Sequence, residues 1–206
     1  MFDSGRKTCG VRALSLLMMF LGVPCVLGQI SFDRSFSNNP RALSGNDIRI
    51  DWDDGRQAGG NSFYSFREFS IVDANGKVTF IDSRMGAEPF RNIFARVTGD
   101  SASTINGTLA SEVPGANLFF MNPNGILFGG GARLDISGSF TATTANRSRF
   151  GDGFFTAVEG ADVDMLPATD PTGFEFFGSP QPLSLDGSRL ARCGTTERLC
   201  LSTSLP

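Results

Sequence analysis

No histidine occurs anywhere in this sequence. Its absence removes the general base of Ser-His-Asp and Cys-His mechanisms and the commonest zinc ligand. Lysine is almost as scarce, with Lys7 and Lys77 its sole instances. Beyond Arg12 there is no basic run. Phosphate neutralisation needs clustered positive charge, so a nucleic-acid partner is excluded on composition. The four cysteines, Cys9, Cys25, Cys193 and Cys200, form no CxxC pair. The apolar stretch Ala13 to Leu21 falls short of the roughly 20 residues that span a bilayer. Phe128-Gly129-Gly130-Gly131-Ala132 is glycine-rich but has no Gly-Lys-Ser/Thr ending, so it reads as a tight corner rather than a phosphate loop. No long amphipathic helix is visible.

Phenylalanine and glycine dominate instead. The 206 residues include 20 Phe and 25 Gly, and 40% are hydrophobic. Phe supplies core filling and Gly supplies corners, which suits one domain with a substantial core and argues against collagen or disorder. Residues 1–28 read as a secretory signal peptide. Arg6, Lys7 and Arg12 precede the apolar stretch, and Val26-Leu27-Gly28 places the cut between Gly28 and Gln29. Cleavage there leaves 15 basic against 20 acidic side chains, a net charge of about −5. Of the remaining cysteines, Cys193 and Cys200 could pair in an oxidising compartment.

The mature chain is written as short strands. Ile48 to Trp52 alternates apolar and polar. Phe63 to Val72 and Val78 to Ile81 are two strands joined at Asn75-Gly76, a hairpin-type corner. Pro89 spoils a central strand, and a short helical turn fits Pro89 to Ile93. Thr141 to Ala145 packs closely as a strand, while Phe150, Phe154 and Phe155 close another corner. Asp162 to Thr172 reads as an acidic surface loop. Ile105-Asn106-Gly107-Thr108-Leu109 is echoed by Ile136-Ser137-Gly138-Ser139-Phe140, and Leu185-Asp186-Gly187-Ser188 repeats its start. Such an echo suggests stacked coils of a solenoid. An antiparallel sandwich also has short strands and glycine turns, and periodicity leaves both open.

Three features weigh lightly. Asp51, Asp53 and Asp54 are the one dense carboxylate cluster. They fit either a solvated edge beside Gly55 or paired carboxylates of a polysaccharide-active enzyme. Gly130 to Asp135 matches a calcium-binding repeat in part, but occurs once where tandem copies are needed. The sequons at Asn106 and Asn146 matter only in a eukaryotic secreted protein.

The sharpest turn signal is Asn122-Pro123-Asn124-Gly125, between Leu118-Phe119-Phe120-Met121 and Ile126-Leu127-Phe128. Pro123 fixes φ, and Asn124-Gly125 accepts positive φ at low cost. This turn, followed by Phe128-Gly129, resembles the hallmark of the amino-terminal two-partner secretion domain of the filamentous haemagglutinin family, in its cyanobacterial form. Further motifs agree in family order. They are Gly60 to Phe66, Asn92 to Gly99 with Ser103 to Gly107, and Gly173 to Pro180.

The resemblance implies an all-β fold, a right-handed parallel β-helix with amino-terminal capping strands, over residues 29–190. It implies no catalytic, cofactor-binding or metal-ligating residue. It also implies export through the periplasm of a Gram-negative bacterium to the cell surface or beyond. There the partner is an outer-membrane transporter with periplasmic recognition domains, and the exoprotein is an adhesin with a host or surface glycan as ligand. The residues that carry the secretion motif are Asn122, Pro123, Asn124 and Gly125. Within that motif a structural role, satisfying backbone groups at a corner, is preferred over direct contact with the transporter. Residues 191–206 depart from the family pattern and read as an atypical, truncated tail.

Overall fold

The computed structural model describes residues 30–36 and 41–186, and the backbone of 199–202. The strands of its helical part run parallel. Asn61–Phe69, Asn92–Val97, Asn117–Met121, Phe140–Thr143 and Leu199–Ser202 lie side by side in one large sheet. A second sheet stacks Asp47–Ile50, Lys77–Phe80, Thr108–Ser111 and Arg133–Ile136. A third stacks Ser103–Ile105, Ile126–Phe128 and Leu183–Leu185, with Ile71 bridging to Ile105. The chain visits the sheets in turn, so each circuit is a coil lying on the previous one. This is a parallel β-helix, as expected, and an antiparallel sandwich is excluded.

Among the first three coils, length varies at only one seam. From the large sheet to the four-stranded sheet, Asn61 to Lys77, Asn92 to Thr108 and Asn117 to Arg133 are each the same 16 positions. The return differs, being longest between Phe80 and Asn92 and shortest between Ile136 and Phe140. A periodicity search therefore meets a fixed arc broken by elastic corners. The echo at Ile105 and Ile136 does not stack, since Ile136 lies over Ser111. The echo at Leu185 does lie in the column of Ile105, with Phe128 between them.

Inside the coils, Phe66, Phe69, Phe80, Phe120, Phe128 and Phe140 form one core with Ile48, Ile50, Ile93, Ile105, Leu109, Leu118 and Leu134. The large sheet also buries its other face. All six residues of Asn92–Val97 are buried. On that outer side Phe63, Phe94 and Phe119 stack from coil to coil, with centroids 5.1 and 4.6 Å apart and planes within 14°. A sheet buried on both faces reads as a nearly continuous apolar run, which is why Asn92–Val97 shows no alternation.

The cover is an excursion from the fourth coil. After Phe140–Thr143 the chain leaves the helix and forms an antiparallel sheet of Arg147–Phe150, Phe154–Thr156 and Pro171–Glu175. Phe150 and Phe155 meet Phe94 and Phe63 edge-on at 5.1 and 4.8 Å. Phe150 to Phe155 is thus a hairpin, not the helix corner expected. The amino-terminal strands Ile30–Phe32, Ala42–Leu43 and Arg56–Ala58 cap the first coil by antiparallel pairing with the large sheet and each other. Such strands remove an unpaired edge.

Other local expectations change. Asn75-Gly76 joins two sheets of one coil and is no hairpin. Pro89 to Ile93 holds no helix. Asn92–Val97 is a strand, and the loop before it is shaped by Arg84, which binds Asp82, Gln57 and the Glu88 carbonyl and lies 3.8 Å from the Phe90 ring centroid. The strand expected to reach Trp52 stops at Ile50, and Trp52–Asp54 is a 3-10 turn. The stretch set apart as atypical contributes Leu199–Ser202, in register with Phe140–Thr143. The signal peptide, its cut between Gly28 and Gln29, and Cys193 lie outside the described residues.

Corner glycines set the coil spacing. A Cβ on Gly107 would sit 2.3 Å from the Gly76 carbonyl oxygen and 2.6 Å from that of Asp73. Gly107→Ala should cost about 2 kcal/mol by forcing coils apart. Gly153, with open space around it, is the control, and Gly153→Ala should be near neutral. Urea unfolding followed by the fluorescence of Trp52 would measure both.

Candidate functional site

The Asn122–Gly125 turn is the corner where the third coil passes from the large sheet to the three-stranded one. Its polar atoms are spent inward. Asn122 is fully buried. Its Nδ2 donates to the Ser101 carbonyl (3.0 Å) and to Ser103 Oγ (2.9 Å), and its Oδ1 accepts from the Asn124 N–H (2.9 Å). The Gly125 N–H donates to the Asn122 carbonyl at 3.1 Å, closing a β-turn, and Gly125 takes φ 111°, which glycine tolerates. Asn124 Nδ2 donates to the Gly99 carbonyl at 2.6 Å. Pro123 and Asn124 are half-buried.

This corner also marks where the excursion departs and returns. The Asn122 N–H donates to the Thr143 carbonyl (3.0 Å), just before the chain leaves the helix. The Ile126 N–H donates to the Pro182 carbonyl (3.1 Å), just after it comes back. The turn therefore ties the second coil, through Gly99 and Ser101, to the fourth.

A second polar column was not read from the sequence. Asn61, Asn92 and Asn117 begin successive strands of the large sheet in register. Asn92 Nδ2 donates to Asn61 Oδ1 (2.9 Å), and Asn117 Nδ2 to Asn92 Oδ1 (3.0 Å). Asn117 Oδ1 accepts from the Ser139 N–H at 2.9 Å. The signal was there in hindsight: Asn-Ser-Phe, Asn-Ile-Phe and Asn-Leu-Phe open the three strands. Asn106 works in the same way one corner on, binding the Val72 carbonyl and the Gly131 N–H.

The aspartate cluster is tied into the backbone of its own turn. Asp51 Oδ1 accepts from the Trp52 N–H (2.7 Å) and the Ser83 N–H (3.1 Å), while Asp54 Oδ2 accepts from the Asp51 N–H (3.0 Å). That is a capping box on the 3-10 turn. Burial pulls the Asp51 carboxyl upward, but hydrogen bonds from Ser83 and Trp52 outweigh it and hold it below its usual value. Burial pushes Asp54 up, against its ion pair with Arg41. Among the described residues no group of three or more Asp, Glu, Cys or His is placed to hold a metal ion.

Compared with protein families, the chain matches the TPS secretion domain over residues 29–196. The chain belongs to that family. The family is one of two-partner secretion, so this is an amino-terminal secretion domain of an exoprotein exported through the outer membrane, with an outer-membrane transporter as partner. It is a family of secretion and transporter recognition, not of enzymes. No curated protein matches the chain.

Removing a rung should be felt across coils. Asn92→Ala leaves Asn61 Oδ1 and Asn117 Nδ2 without their partners, at about 2–3 kcal/mol in chemical denaturation.

Acid should loosen the surface loops first. The Asp82 carboxyl is held low by hydrogen bonds from Arg84, and Asp152 by those from Thr169 and the Ala168 N–H. Both are depressed in the folded state. Their stabilisation is complete above the ordinary value of 3.8 and is lost as pH falls through the lower folded values. Below about pH 4, hydrogen exchange around Arg84 and around 151–153 should rise before that of the core strands.

Proposed function

We propose that this chain is the export and folding module of an adhesin of the filamentous haemagglutinin type, from the cyanobacterial branch. Residues 1–28 carry it across the inner membrane and are removed between Gly28 and Gln29. Residues 29–190 are then recognised, still extended, by the periplasmic domains of the transporter. The helix winds right-handed at the surface, as parallel crossovers do. Residues 191–206 follow it, and Leu199–Ser202 within them adds a strand to the large sheet. The supporting observation is that the family match begins at residue 29, where the signal pattern ends. The adhesive ligand would be a surface glycan, contacted outside the secretion motif.

A β-helix suits this task. Each coil buries its face on the one before, so folding outside the membrane opposes backsliding without a chemical energy source.

The Asn122–Gly125 turn acts through the fold rather than by touching the transporter. Its side chains are directed into neighbouring coils, and that geometry favours the structural reading.

The test is co-expression with a two-partner secretion transporter that exports the chain. The wild-type chain should reach the medium, and should stay in the periplasm when the transporter is deleted. Asn122→Ala should lose stability and export together. Pro123→Ala should keep both. A Pro123→Ala protein of normal stability that is no longer exported would show that the turn is itself recognised.

A further inference from the structure

The early coils borrow their partners from the far end of the excursion. Asn61, in the first coil, is fully buried and donates from Nδ2 to the Pro167 carbonyl (3.0 Å) and the Thr169 carbonyl (2.7 Å), 106 and 108 residues later. Asn92 adds a bond to Asp170 Oδ1 at 3.1 Å.

Arg96, in the second coil, has 0% of its surface exposed. Its Nη1 donates to the Thr156 carbonyl (2.5 Å) and the Ala161 carbonyl (3.0 Å), and its Nε to Ser65 Oγ (2.7 Å). The guanidinium carbon lies 4.5 Å from the Phe155 ring centroid. Burial pushes the guanidinium down to about 10, against the pull of Asp33 and Asp162.

The amino-terminal segment closes over the same place. Asp33, 2% exposed, accepts from Ser65 Oγ (2.6 Å) and Thr98 Oγ1 (2.7 Å). The Arg34 N–H donates to Glu159 Oε1 (3.2 Å), and the Gly160 N–H to Ser35 Oγ (2.9 Å), each across 125 residues. Asp162 holds the segment's own shape, accepting from the Thr156 N–H at 2.7 Å.

We infer that residues 156–170 are a clasp, and that the amino-terminal strand and first two coils hold their native form only once this late segment is seated. Without it, Arg96 would remain a buried cation against the Phe155 ring with both acceptors of its Nη1 gone. Asn61 would lose both acceptors of its amide. An unpaired buried charge or amide is among the costliest defects a fold can carry. Growth of the helix from its amino terminus thus has a checkpoint near residue 170. Before it, the coils are provisional; after it, they are a finished template. The inference stands on contacts of the folded chain and does not depend on the export reading.

Native-state hydrogen exchange on the full chain tests this. Peptides covering 30–36, 61–66, 92–97 and 156–170 should open as one unit, with protection agreeing within about threefold. Asp162→Ala loosens the clasp from its own side, and should raise exchange by about tenfold or more in 30–36 and 92–97 as well as in 156–162. Glu175→Gln, in the excursion but away from the clasp, should leave 30–36 unchanged. The inference is overturned if Asp162→Ala accelerates 156–162 alone. It is equally overturned if 156–170 of the wild-type chain opens while 61–97 stays protected. The wild-type pattern decides by itself should Asp162→Ala fail to fold.

Discussion

A strand of this helix has no strand partner within its own coil. Every strand pairs only with the strand above and the strand below, so each coil is completed by its neighbours. The rest of the molecule follows from that constraint. The amino-terminal strands exist because the first coil has no predecessor. The corner glycines exist because stacked backbones pass too closely for a Cβ. The asparagine column exists because strand ends carry polar groups that must be satisfied between coils. It places one amide per coil, handing a bond from Asn92 to Asn61 and from Asn117 to Asn92.

The excursion changes what kind of solenoid this is. A simple stack is one-dimensional, with each repeat touching only its neighbours. Here Arg147–Phe150, Phe154–Thr156 and Pro171–Glu175 leave the fourth coil and lie back over strands of the first three. The Phe63–Phe94–Phe119 stack would otherwise face water. Sequence-distant contacts of this kind make the domain cooperative across its length. The Asn122–Gly125 corner sits where that excursion leaves and re-enters, its Asn122 N–H bonded to the Thr143 carbonyl and the adjoining Ile126 N–H to the Pro182 carbonyl. Motif and excursion are thus parts of one junction.

Much of this was legible in the residues. Short strands, glycine corners and the Asn-Pro-Asn-Gly turn led to a coiled β fold and to its family. The capping role that Asp51 and Asp54 take on their 3-10 turn was not foreseen. Three things stayed hidden for physical reasons. The period was masked because the return to the large sheet varies from coil to coil and the excursion interrupts the fourth coil. The outer phenylalanine stack was hidden because a strand buried on both faces loses its alternation, so Phe63 and Tyr64 look alike in sequence yet point to opposite sides. The Arg96 cluster could not be found at all. Its partners lie 31 to 65 residues away, and nothing local marks a buried arginine.

The fixed arc and the elastic return carry a consequence for engineering. The seam at the return to the large sheet changes length from coil to coil without disturbing side-chain registry elsewhere. Gly115 lies exposed on that seam, at the tip of the second return. A foreign epitope spliced there would hang outward like a flag from a mast, leaving the mast's own winding intact.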